Sequence, residues 1–112
     1  MSNHYYDPAD AKARMQMAEL APSDFKAWMG LNAIPSSDKG AIPVKVRELI
    51  AIAVAHATGC PYCIEAHVKK GHAAGITKQE VAEAVLISAA LCAGAAAAHG
   101  GLAMKFYDEA QG

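Results

Sequence analysis

A chain of 112 residues with no basic block, no secretory-type leader and no alternating strand pattern leaves few functions open. Acidic and basic residues are interspersed and the formal net charge is -1, so neither nucleic acid nor an anionic membrane is an expected partner. The opening Met1-Ser2-Asn3-His4-Tyr5-Tyr6-Asp7-Pro8 lacks the basic start and apolar run of a secretory signal, and a reducing cytoplasm is the expected setting. Alternation of apolar and polar residues persists nowhere long enough to build a sheet, and the β-branched residues fall inside helical periods. The fold class is therefore read as all-α, a compact subunit of about five to six helices. Aromatic residues are scarce, at 6%, and alanine dominates the 54% apolar share, which suits closely packed helices. No internal repeat is found. The length has room for one domain, residues 1–112, and a domain of this size leaves much of its surface unburied unless it associates.

Charge is also missing from one long stretch. Between Ala84 and Met104 no side chain is acidic or basic apart from His99, which raises the question of a membrane span. The Ala, Gly and Ser content argues against one, because alanine contributes little transfer energy and Gly94, Gly100 and Gly101 weaken an isolated span. The stretch is read instead as part of a buried core helix, opened by Thr77 and Glu80 at the spacing of a capping box. Small residues recur along it every three to four positions, at Ala90, Gly94, Ala97 or Ala98, and Gly101, and subunit contacts are their expected use.

Upstream, Asp7 and Pro8 suit the cap and first turn of a helix running to about Leu20. Ser23 or Asp24 suits the cap of a second, short helix whose Phe25, Trp28 and Met29 share an apolar face, with the single tryptophan expected in the core. The stretch Ile34 to Ile42 holds Pro35, Ser36, Ser37, Asp38 and Gly40, a linker composition without an apolar period. Pro43 suits the opening of a third helix that Gly59 ends, apolar on nearly every side and so central. Gly59-Cys60-Pro61 then reads as a tight corner, with Cys60 at the cap and Cys63 in the first turn of a fourth helix that fades between Gly71 and Gly75.

That fourth helix carries what chemistry the chain has. In Cys60-Pro61-Tyr62-Cys63, two thiols separated by two residues can close as a disulfide and open again. Successive helical residues turn by about 100°, so Cys60, Cys63 and His67 fall within roughly 60° of one face. His67 lies one turn beyond Cys63, a spacing at which an imidazole can take a thiol proton. Glu48, on the preceding helix, would be costly in an apolar interior unless it met a donor such as His67. Together they outline a Glu-His-Cys proton relay. An unperturbed thiol of pKa about 8.5 is only about 3% thiolate at pH 7, and lowering its pKa to about 6.5 raises that share about twenty-five-fold. The accompanying loss of nucleophilicity takes back about tenfold. The larger benefit of His67 would be to hold the removed proton and hand it to the oxygen leaving a peroxide.

Rival readings use the same residues. Cys60, Cys63, His67 and either Glu48 or His56 could close a tetrahedral zinc site, making the chain a zinc-binding or structural homo-oligomer. Glu48 could instead pair with Lys45 or Arg47, and Tyr62 could merely cover the site. Cys-Pro-Tyr-Cys is the active-site sequence of glutaredoxins, but a thioredoxin-type fold needs a strand before the motif and Glu48 to Ala57 reads as helix. Covalent haem attachment fails because Ile64 stands where histidine is required. Cys92 is assigned to the core, and His56, His72 and His99 lack comparable company.

The run from Arg47 to His67, with the spacing Glu-x11-Cys-x2-Cys-x3-His, resembles the alkylhydroperoxidase D-like branch of the carboxymuconolactone decarboxylase superfamily over about Val44 to Gly101. The opening Tyr5-Tyr6-Asp7-Pro8, with the rest of the chain, is similar to a small peroxidase-like subgroup associated with arsenosugar biosynthesis gene sets. The resemblance implies an all-helical subunit, homo-oligomers that are often trimers or hexamers, and thiol-dependent reduction of small hydroperoxides; no cofactor or metal is assigned to the chain. Carried onto this chain it makes Cys63 the peroxidatic sulfur, His67 its base, Glu48 the residue behind that base and Cys60 the resolving thiol. An external dithiol, a lipoyl-bearing or thioredoxin-like protein, would be the reductant. The type peroxidase has histidine where Tyr62 stands, so any relay contribution from that position is absent or altered here. The decarboxylase branch lacks the cysteine pair in this register; a carboxymuconolactone decarboxylase-like activity would leave Cys60 and Cys63 without a role.

Overall fold

Local signals in the chain translate into six α-helices and one 3-10 turn among the residues described by the computed structural model, Asp7 and residues 9–112. The fold is all-α. Two short helices come first, α1 (Asp10–Arg14) and α2 (Gln16–Leu20), broken at Met15. Asp7 accepts the Ala9 N–H at 2.8 Å and opens the turn into α1, with Ala9 rather than Asp7 at the cap position. The expected place of Pro8 and the Tyr5-Tyr6 signature lie outside the described residues. α3 (Pro22–Asn32) starts at Pro22, with Ala21 preceding it. Proline lacks only a donor that the first turn leaves unpaired, so it takes the opening position in place of the expected cap at Ser23 or Asp24. The linker begins with the 3-10 turn Ile34–Ser36.

α4 (Val44–Thr58) occupies the middle of the subunit, with α5 (Pro61–Ala73) packed on it and the start of α6 (Lys78–Gln111) packed on it as well. Pro43 precedes α4, and Gly59 ends it in the left-handed region at φ 70°, where a side chain would be strained. Ile52, Ile76 and Ala84 form the buried core, flanked by Leu49, Ala53, Val68, Val81 and Val85. Ile52 is wholly inaccessible, and burying a side chain of its size contributes about 1.5–3 kcal/mol. The α5–α6 turn closes tightly: Ile76 donates its N–H to the Gly71 carbonyl at 3.0 Å, and a Cβ on Gly71 would run into the Ile76 side chain. Thr77 and Glu80 form the expected capping box. The Ser88 hydroxyl donates to the Ala53 carbonyl at 2.7 Å and the Lys45 ammonium meets Glu80 at 3.3 Å, fastening α6 to α4.

Three expectations about burial are corrected. The Ala84–Met104 stretch is core only at its beginning, because α6 continues past α4 and leaves Leu91, Leu102 and Phe106 exposed. Cys92, on the same projecting part, is exposed rather than in the core. Trp28 is 41% exposed: α3 packs against α2 and the 3-10 turn and brings no second layer over its indole. Phe25 meets the Trp28 ring edge to face at 5.4 Å between centroids. α6 is also long and apolar enough to cross a membrane.

Candidate functional site

Pro61 opens α5, which leaves Cys60 at the cap with extended backbone and Cys63 in the first turn. Their Cα atoms are 5.3 Å apart and the two sulfurs are bridged. The Cys60 sulfur also accepts the Cys63 N–H at 3.2 Å, the place a serine or aspartate oxygen takes at other helix starts. Both sulfurs therefore sit at the start of a helix, the end at which the dipole favours negative charge.

One turn further along α5, His67 is buried and points its Nδ1 at Glu48 on α4, 2.6 Å from Oε1. Glu48 is 1% exposed, four residues before Ile52 on the same face of α4. A buried carboxylate is tolerated when each oxygen has a donor, and here the second donor is the Ser36 hydroxyl, 3.1 Å from Oε2. An ionised carboxylate only accepts, so His67 donates its Nδ1–H, and Nε2 is left as the nitrogen able to take a proton. Lys45 and Arg47, the alternative partners weighed for Glu48, are occupied elsewhere. Lys45 meets Glu80, and Arg47 donates to the carbonyls of Ile34 at 2.7 Å and Ile42 at 3.0 Å.

Cys63 and His67 open on one cavity of about 550 Å³ between α3, the 3-10 turn and α4. Trp28, Leu31, Ile34, Ile50 and Val54 make its apolar wall, and Cys60 is not among the lining residues. The cavity supplies what spacing alone did not, a difference between the two cysteines: Cys63 lines it and Cys60 does not. In this bridged state Glu48 is the partner of His67, and the cavity is what His67 shares with Cys63.

Tyr62 turns its hydroxyl to Asp10 of α1, donating at 2.8 Å, with the Arg14 guanidinium 5.9 Å from its ring centroid. It joins the N-terminal helix to the thiol turn. His56 bonds through Nδ1 to the Ile52 carbonyl of its own helix at 2.8 Å. With the sulfurs bridged to each other and His67 engaged by Glu48, the proposed zinc ligands are not gathered. No three His, Cys, Asp or Glu side chains converge among the described residues. Ser36, Arg47 and the cavity wall were missed in the sequence. Only the linker position of Ser36 and its polar neighbours were visible there, and neither signals a buried partner.

Residues 22–105 match the profile of the carboxymuconolactone decarboxylase family. The chain is 42% identical over 105 residues, 94% of each protein, to "Uncharacterized protein 4 in cox locus" of Paracoccus denitrificans. It is 27% identical over 92 residues to an uncharacterized protein of Cupriavidus necator, spanning 82% of this chain and 80% of that one.

Proposed function

The chain belongs to the carboxymuconolactone decarboxylase family, and from that premise we propose that it is a cytoplasmic thiol peroxidase of the alkylhydroperoxidase D-like branch, reducing hydroperoxides through Cys60 and Cys63. The observation that carries this reading is the shared cavity: one residue of a bridged cysteine pair and a histidine backed by a buried carboxylate line the same apolar space. Cys63 is the attacker because it lines that space, Cys60 the resolver because it is bridged to Cys63 from the cap position.

The Cys63 thiol gives its proton to Nε2 of His67, and Glu48 stabilises the imidazolium. The thiolate attacks a peroxide oxygen, an S–O bond forms, the O–O bond breaks, and the departing alkoxide takes the proton from His67. Cys63 is left as a sulfenic acid and the peroxide as an alcohol. The Cys60 thiol then attacks the sulfenic sulfur, forming the disulfide and releasing water. An external dithiol supplies the two electrons that restore both thiols. The apolar wall favours an organic hydroperoxide with a hydrocarbon body over hydrogen peroxide, since burying that body contributes about 25 cal/mol per Å². The exposed apolar run on α6 supports a homo-oligomer.

Stopped-flow mixing of the reduced protein with tert-butyl, cumene and hydrogen peroxides, read by thiol loss, tests the reading. Cys63→Ser should abolish fast oxidation. Cys60→Ser should still react once and stop at a trappable sulfenic acid. Oxidation of Cys63→Ser at the parental rate would sink the assignment, and turnover of a lactone acid by the double serine variant would favour the decarboxylase-like alternative.

A further inference from the structure

The linker between α3 and α4 has no regular structure beyond its opening turn, yet it is held to α4 by two consecutive residues. Arg47 donates to the carbonyls of Ile34 and Ile42, pinning both ends of the linker. Glu48 accepts from the Ser36 hydroxyl in the middle. These bonds differ in kind. Arg47 engages backbone on an exposed surface, whereas the Ser36 bond ends on the carboxylate whose other oxygen is 2.6 Å from His67. Backbone bonds from Ser36 N–H to the Ala33 carbonyl and from Ser37 N–H to the Ile34 carbonyl fix the turn that aims this hydroxyl.

We propose that Ser36 is a positioning residue for the Glu48–His67 pair: by donating to Oε2 it fixes the carboxylate plane so that Oε1 receives Nδ1–H and the imidazole keeps Nε2 free as the base. A carboxylate held at one oxygen only can rotate about its terminal torsion, which is broad and nearly two-fold. Held at both, it presents one lone pair to one nitrogen. Ile34 and Pro35, the two residues before Ser36, line the cavity, so the turn that walls the substrate space is the turn that holds the relay. The consequence for rate rests on the proposed thiol chemistry; the consequence for the imidazole does not.

The two are read separately. In the reduced parent protein, ¹H–¹⁵N NMR of labelled histidine should find the His67 proton on Nδ1, as a low-field resonance typical of a short bond to carboxylate. Ser36→Ala should shift or broaden that resonance and slow Cys63 oxidation about tenfold, the effect expected for one hydrogen bond to a charged group. Ser36→Thr should restore both, and thermal melting should move little while Arg47 still holds the linker. A parental His67 carrying its proton on Nε2 would overturn the proposal whether or not the variants fold. So would Ser36→Ala with an unchanged resonance and rate and only a lowered melting point, the result of a purely structural bond. If the parent consumes no peroxide, the enzymatic reading fails while the resonance still tests Ser36.

Discussion

The density of partners around Glu48 separates shape from charge at a single residue. Its carboxylate is buried, accepts from Ser36 and His67, and has no bulk water to fall back on. Removing the acceptor leaves the His67 Nδ1–H and the Ser36 hydroxyl without a partner, and an unsatisfied buried donor costs about 1–3 kcal/mol. Glu48→Leu should therefore lose stability on that scale in urea or thermal unfolding. Glu48→Gln keeps the shape and can still bond to Ser36, whose hydroxyl both donates and accepts. It cannot balance an imidazolium, and an amide can turn its NH₂ to Nδ1 and impose the wrong tautomer. Glu48→Gln should thus melt near the parent yet oxidise roughly 100-fold more slowly, in the range of general acid–base effects. Parental rates in the glutamine variant would remove the carboxylate from the proton path.

At the scale of helices, what could be read in advance was what local chemistry dictates. Gly59 takes the left-handed region, Cys60 caps α5, and Thr77 with Glu80 forms a capping box, each within four residues of the boundary it sets. Glu48 and His67 were legible for a related reason: helical spacing brings His67 onto the thiol face, and a carboxylate on an apolar helix demands a donor. Ser36 was not, because a hydroxyl in an aperiodic linker carries no sign of which helix it will meet. Trp28 was misassigned because an amphipathic spacing tells that a face is apolar but not that a neighbour covers it. The capping box offers its own test. Thr77→Ala should cost about 1 kcal/mol. The Thr77 N–H, helped by Lys45, holds the Glu80 carboxyl below its ordinary value of 4.5. A lowered folded-state pKa means that this stabilisation is complete above about pH 4.5 and is lost as pH falls through the lower folded value. Parent and Glu80→Gln should accordingly differ in melting temperature near neutrality and converge under acid. A difference that persists unchanged into strong acid would show that the carboxyl charge contributes nothing.

The single subunit is more extended than a compact chain of its length, which supports the proposed homo-oligomer. Its Cα radius of gyration is 18.6 Å, against about 13 Å for a compact chain of this length. Its accessible surface is 8378 Å², against about 5,900 Å² for a monomeric protein of this mass. The excess is about 2,500 Å². Much of the apolar part lies on α6, about 51 Å long at 1.5 Å per residue, almost the full 56 Å extent of the molecule. Ile87, Leu91, Leu102 and Phe106 fall within about 100° of one face of that helix, and Leu91 is 70% exposed. Gly94 and Ala98 lie between them on the same face, small enough to let a second helix approach. A membrane and a second copy of the chain are two covers for such a face, and they make opposite predictions. A copy predicts a detergent-independent particle of several times 11.7 kDa by light scattering, with a melting temperature that rises with protein concentration. Leu91→Glu with Leu102→Glu should then drive it toward the monomer mass and bare the stripe to an apolar dye. A parent that stays at 11.7 kDa in dilute buffer, or that leaves solution unless detergent is supplied, would rule out the homo-oligomer.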